Sequence, residues 1–319
     1  FFWELRCSAA LWVDRLSFME MVVTGSTGRL GGALLREWEG GNILHAPGRE
    51  DLDLGKPEEL EKKLESLSFD VLVNCAAMSD VERCEICPEE AYAINAESPR
   101  VLARVCARRR ARFVHFSTDY VLDGSREGLK GEEAAVLPLN HYARTKRMGE
   151  EKVQEENPSA IVGRVSWLFG MQPDGIVESL YRRALGGEAF RAVDDKFSKP
   201  TSAREIGRMV LALLTHPDLT GLFHLAHAGE PESWWSVATK VVRIAHEEEL
   251  LEECPEVRAE GMEQAERLKV RRPIHTAMDP VRLRTDLCWR GVNWEEEARL
   301  ILRSLSRERR MRLPDRKSR

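Results

Sequence analysis

From Glu20 to Val165 the chain alternates short apolar runs with longer amphipathic stretches, and this alternation restricts the fold more than any other feature. EMVVT at 20–24, NILHA at 42–46, DVLVNC at 70–75, RFVHFS at 112–117 and AIVGRV at 160–165 read as strands, and 29–39, 57–67, 88–110 and 141–156 read as helices. Strands this apolar need cover on both faces, which parallel strands joined by right-handed helical crossovers provide. The expected fold class is therefore α/β, a doubly wound (Rossmann) parallel sheet.

After Gly170 the pattern becomes irregular, broken by Gly186-Gly187, Pro200, Pro231 and Pro273. A strand near 190–193, a helix at 202–215, a strand at 221–226 and a helix at 233–248 are expected there. These suit a smaller C-terminal lobe over the sheet. The expected organisation is an appendage at 1–18, a dinucleotide-binding domain at 19–170, a substrate lobe at 171–305 with elements returning to the first domain, and a basic tail at 306–319. The stretch 303–319 carries eight Arg/Lys against two acids and reads as a solvated, frayed end. No internal repeat is visible.

Composition removes several classes of function. A net charge of -5 argues against a chain-wide nucleic-acid surface, and no run approaches the roughly 20 apolar residues of a membrane span. Seven Cys, an odd number lying mostly in apolar segments, fit a reducing cytoplasm better than a disulfide scaffold. Cys84 and Cys87 have CxxC spacing but lack a second ligand pair, so no metal is expected.

Three sites carry chemistry. Gly25-Ser26-Thr27-Gly28-Arg29-Leu30-Gly31 follows the first strand and opens a helix, where glycines permit a tight turn and free N–H groups meet a pyrophosphate. At the end of the second strand Arg49 stands where a dinucleotide's ribose would lie, and its guanidinium tilts the expectation to NADP(H), with NAD(H) left open because Glu50 and Asp51 follow at once. Tyr142 and Lys146 share one helix face at i and i+4, so an ammonium beside the phenol would ease proton exchange. Upstream, Ser117-Thr118-Asp119-Tyr120 places a hydroxyl at the carboxyl edge of the sheet.

Taken in order, TGSTGRLG, LDL at 52–54, VLVNCAAMSDVERCE, AYAINAESPRVLA, FSTDYVLDG, PLNHYARTK, RVSWLFG, DDKFSKPTSAREI and RRPIHTAMD resemble the extended short-chain dehydrogenase/reductase superfamily, most closely its dTDP-4-dehydrorhamnose reductase branch. The resemblance runs from about Met19 to about Leu305 and implies NADP(H)-dependent reduction of a nucleotide-linked 4-keto-6-deoxy sugar. It assigns the catalytic hydroxyl, tyrosine and lysine to Thr118, Tyr142 and Lys146. The expected cofactor contacts are the glycine turn (Gly25, Thr27, Gly28, Arg29, Leu30, Gly31), Arg49, Asp53 and Leu54, joined by Asn74, Ala76 and Ala77 and by Tyr142 and Lys146. Substrate contacts fall on Thr118, Asp119, Tyr120 and Trp167, and Asn95 takes a structural role. A nucleotide-sugar substrate, no nucleic acid and no membrane are the implied partners, with a homodimer left open.

The chain departs from the branch at Ala76-Ala77-Met78-Ser79, at Val81-Glu82, in MQPDGIVESL after Gly170, and at Asp195–Thr201, where DQxGxPT has become DKFSKPT. Sugar identity is thus less constrained than reaction type. Two alternatives accompany this reading: another nucleotide-sugar reductase or epimerase, and a non-catalytic NADP-binding regulatory subunit resembling that of methionine adenosyltransferase. The intact Thr118, Tyr142 and Lys146 favour an enzyme. His115 and His224 lie on expected strands and read as core histidines. Trp234-Trp235 reads as a packing anchor, and Asp119 and Asp123 lack the partner carboxylate of a hydrolytic pair.

Overall fold

The computed structural model describes residues 19–39, 43–170 and 175–312, the last five by backbone alone. The expected appendage at 1–18, Asn42 of the second expected strand, residues 171–174 and the tail beyond 312 lie outside the described residues. The first half runs β1 (Glu20–Thr24), α1 (Arg29–Trp38), β2 (Ile43–His45), α2 (Pro57–Glu65), β3 (Val71–Asn74), α3 (Val81–Ile86), α4 (Pro88–Tyr92), α5 (Ser98–Arg109), β4 (Arg112–Thr118), α6 (His141–Glu156) and β5 (Ile161–Val165). The second half adds β6 (Leu168–Phe169), α7 (Ile176–Ala184), β7 (Phe190–Val193), β8 (Phe197–Ser198), β9 (Thr201–Ser202), α8 (Ala203–Leu214), β10 (Gly221–His224), β11 (Glu232–Ser233), α9 (Trp234–Glu247), β12 (Val257–Glu260), α10 (Val281–Leu287) and α11 (Trp294–Arg312).

The main sheet has six parallel strands in the order β10-β5-β4-β3-β1-β2. The order reverses at β1, the switch point beside which ligands of open α/β sheets bind. One face is covered by α1, α8 and α10 through Leu34, Trp38, Ile206, Val210 and Leu283. The other is covered by α2 and α5 through Leu60, Leu64, Leu102 and Val105. A separate core of α7, α9 and α11, with Tyr181, Val241 and Leu302, forms the lobe. Although they follow Gly170, α8, β10 and α10 belong to the main sheet layers. No described helix is long and apolar enough to cross a membrane.

Two expected elements differ. The helix expected over 88–110 is divided into α4, a π turn at Ala93–Glu97, and α5. Pro99 has no N–H to give the Asn95 carbonyl four residues back, and the freed carbonyl lies against Gly149 of α6, where an added Cβ would sit 2.2 Å from it. The Asn95 side chain holds the wider turn: Oδ1 accepts from Met78 N at 2.9 Å, and Nδ2 donates to Met78 O and to Thr145 Oγ1. The basic stretch is likewise not frayed from 303 onward, since α11 continues to Arg312. Ala298, Leu302 and Leu305 recur on one face of that helix against the lobe core, and Arg303 pairs with Glu248.

Candidate active site

A cavity of about 670 Å³ opens at the carboxyl ends of β1, β3, β4 and β5. Its floor is the turn between β1 and α1. Gly25 takes φ +65°, and a Cβ there would lie 2.7 Å from Ala76 N, so only glycine lets the two crossovers approach. Gly31 does not line the cavity: its Cβ would fall 2.3 Å from Gly25 O, so its place is in seating α1 on the turn. Ser26, Thr27, Gly28, Arg29 and Leu30 do line it. The α1 N-terminus has neither a side-chain cap nor an acid in its first turn, which leaves its N–H groups and positive dipole end facing the space. This cradle fits a dinucleotide pyrophosphate.

Arg49, Asp53 and Leu54 line the far end beside Pro47 and Gly48. The Arg49 side chain is 72% exposed and its Nε lies 3.3 Å from Asp53 Oδ1. Gly55 N donates to the same oxygen at 2.9 Å, and this bond, then Arg49, holds the Asp53 carboxyl below its usual range. The acid that engages Arg49 is therefore Asp53, one helical turn on, and neither of its immediate neighbours.

On the opposite wall stand Ala76, Ala77, Thr118, Asp119, Tyr120, Tyr142, Lys146 and Trp167. Asn140 caps α6 by accepting from Ala143 N at 2.8 Å, which places Tyr142 and Lys146 in the first two turns. Lys146 is anchored on β4. Lys146 Nζ donates to the Phe116 carbonyl at 2.6 Å and lies 3.5 Å from His115 Nε2. Burial pushes its ammonium down to about 8, against the pull of Glu150, Cys75 and Cys84. Burial pushes the Tyr142 phenol up to about 12, and the groups opposing this are the Thr118 hydroxyl and Arg29 across the cavity. The Tyr120 ring meets Tyr142 edge-on at 5.8 Å.

Asn74, expected beneath a ribose, is instead buried behind the wall. It accepts from Thr24 Oγ1 at 2.6 Å and contacts His115 Nδ1 at 3.0 Å, because the last residue of a central strand alternates into the packed layer. Asp119 lines the cavity, yet its carboxylate is taken up inside the protein. Oδ1 accepts from Thr118 Oγ1 at 3.3 Å, and Oδ2 accepts from Ser198 Oγ at 3.0 Å and Thr276 Oγ1 at 2.5 Å. Burial raises its carboxyl, opposed first by Lys196 and then by these hydroxyls. Trp167 adopts φ +42°, an uncommon backbone for a bulky residue that costs about 1–2 kcal/mol, and its buried indole N–H has no partner among the described residues. Its ring packs 5.7 Å from that of Trp234, while Trp235 Nε1 donates to Val257 O at 2.9 Å, tying α9 to β12. Cys84 is buried on α3 and donates to Met78 O.

Sequence reasoning missed the Phe116 carbonyl, Cys75, Ser166, Ser198 and Thr276. A backbone acceptor leaves no composition signal, and Ser198 and Thr276 reach Asp119 across 79 and 157 residues. Ser166 and Cys75 adjoin residues already singled out, and their position at strand ends was the available signal.

Residues 19–307 match the family model described as the RmlD substrate binding domain. The chain is 33% identical over 71% of its length to a probable dTDP-4,6-dihydroxy-2-methyloxan-3-one 4-ketoreductase of Streptomyces antibioticus, covering 77% of that protein. It is 28% identical over 90% of its length to a dTDP-4-dehydrorhamnose reductase of Sinorhizobium fredii, covering 98% of it. Among solved structures, the dTDP-4-dehydrorhamnose reductase of Bacillus anthracis in complex with NADP superposes with a TM-score of 0.81 at 25% identity, over 90% of this chain and 99% of that one.

Proposed function

The chain belongs to the RmlD substrate binding domain family, and from that premise we propose that it is an oxidoreductase that uses NADPH to reduce a dTDP-linked 4-keto-6-deoxy sugar, with dTDP-4-dehydro-L-rhamnose giving dTDP-L-rhamnose as the leading reaction. One observation carries the reading: the glycine cradle and the Thr118, Tyr142 and Lys146 side chains face a single cavity at the sheet's switch point.

The residues present suit each step. The α1 N-terminus and Arg29 hold the pyrophosphate, and Arg49 is placed for a 2'-phosphate. Bound NADPH supplies the hydride to the sugar C4 and leaves as NADP+. Tyr142 gives its phenolic proton to the developing alkoxide oxygen. Burial keeps that phenol protonated at neutral pH, the state a general acid needs, and Thr118 stands beside it on the cavity wall. Thr118 is itself fixed, since Oγ1 accepts from Tyr120 N at 3.2 Å and donates to Asp119. Lys146, anchored on Phe116 O, presents its ammonium beneath the cofactor ribose. Trp167 covers the apolar face of the sugar.

Purified protein incubated with NADPH and a panel of dTDP- and UDP-linked 4-keto sugars tests the reading. NADPH oxidation should appear with a dTDP-linked 4-keto-6-deoxy sugar. Tight NADPH binding with no turnover of any sugar would instead support the regulatory-subunit alternative.

A further inference from the structure

Lys196 is fully buried just before β8, where the chain departs from the DQxGxPT pattern. It does not line the cavity. Its Nζ donates to the Pro273 carbonyl at 2.8 Å and lies 3.4 Å from Thr276 Oγ1. On its other side it stands 4.8 Å from the centroid of the Tyr120 ring and 5.9 Å from that of Trp167. Both rings line the cavity, and they come from different crossovers: Tyr120 follows β4, and Trp167 follows β5. Thr276 also bonds Asp119, so the same short segment that carries the ammonium's partners holds the carboxylate next to Thr118.

We propose that Lys196 is a positioning residue for the sugar end of the cavity, its ammonium fixing the Tyr120 and Trp167 rings against the 273–276 segment. The inference rests on the nucleotide-sugar reading. A buried cation over two aromatic faces is attracted to both, and its two oxygen partners set its height above them. Trp167 packs on Trp234, but its indole N–H is unpaired among the described residues and its backbone is strained, so the ammonium is the contact that ties its ring to the 273–276 segment. The groups facing the ammonium are Asp119 after β4, which favours its charge, and Arg272, which opposes it; Tyr120 and Trp167 present uncharged faces. Burial pushes Lys196 down to about 8, so the charge is present below that pH and lost as pH rises through it.

Lys196→Met keeps the length of the side chain and removes both the charge and the donor. The expected result is a sugar-nucleotide KM raised about tenfold with the NADPH KM unchanged, together with an altered tryptophan near-UV CD signal in the free protein. Lys196→Arg stays charged, and should hold its sugar KM steady up to pH 9 while that of the wild type climbs. A merely structural lysine would lower the active fraction and leave both KM values alone. Equal KM values in Lys196→Met and wild type, an unchanged near-UV signal, or the same pH dependence in Lys196→Arg and wild type would overturn the proposal. If the wild type turns over no nucleotide sugar, the functional reading fails, and the CD comparison still decides whether Lys196 positions the rings.

Discussion

Thr276 Oγ1 donates a 2.5 Å hydrogen bond to Asp119 Oδ2, joining residues 157 apart in the chain. Asp119 adjoins Thr118, whose hydroxyl it accepts, so the C-terminal segment reaches within two hydrogen bonds of the hydroxyl beside Tyr142. The C-terminal segment and the wall that carries Thr118 and Tyr142 are thus one connected structure, and changes on either side should be read in the kinetics of the other.

Tyr142→Phe removes the proton that the proposed mechanism delivers to the alkoxide. With burial holding the phenol protonated, kcat should fall by about 100- to 10,000-fold, the usual range for a lost general acid, while NADPH binding stays near normal. Stopped-flow turnover beside a fluorescence titration of NADPH checks this, and near-normal turnover by a folded variant would remove Tyr142 from the mechanism.

Asp53 competes with a cofactor 2'-phosphate for Arg49. An exposed guanidinium already shared with a carboxylate should contribute roughly tenfold to discrimination for NADPH over NADH, at the low end for a charge-assisted contact. Arg49→Ala should lose that ratio. Asp53→Asn keeps an oxygen for Gly55 N but frees Arg49, and should raise the ratio. Steady-state kcat/KM for both cofactors decides; a fall in Asp53→Asn would mean that Arg49 faces away from the phosphate.

Trp167→Ala should raise the sugar-nucleotide KM or lower kcat/KM without changing the NADPH KM, because the ring lines the cavity beyond the glycine cradle. A variant that melts early yet turns over normally while folded would place Trp167 in packing alone.

Gly149→Ala forces a Cβ to 2.2 Å from the Asn95 carbonyl, a backbone group that cannot swing away. Overpacking of this kind costs roughly 1–3 kcal/mol and should lower Tm by several degrees. Because α6 would shift, activity at low temperature should fall as well; a fully active variant of unchanged Tm would show that the π turn can yield.

His227 sets an acid limit on stability. Its Nδ1 lies 2.7 Å from Val292 O and its Nε2 accepts from Ser202 N, a pattern that only the neutral ring satisfies. Burial holds it down to about 4. As pH falls from about 6.5 towards 4 the unfolded chain takes up a proton that the folded chain refuses, so stability is lost across that window, by up to about 3 kcal/mol. Tm measured from pH 7.5 to 4.5 should drop, and His227→Asn should flatten the slope.

What the sequence determined by itself was local in origin. The β1–β5 strands, the glycine turn, the α6 cap at Asn140 and the i, i+4 pair of Tyr142 and Lys146 follow from periodicity and from residues within a few positions of one another. Even a missed detail such as the π turn had a local cause in Pro99, although its depth depends on Gly149 fifty residues away. Tertiary structure alone decided where the charges end. Lys146 meets the Phe116 carbonyl, Asn74 turns inward to His115, and Asp119 is filled by Ser198 and Thr276. A buried polar group must find a partner, and which partner lies within 3 Å depends on how distant crossovers pack, a relation that no window of sequence contains.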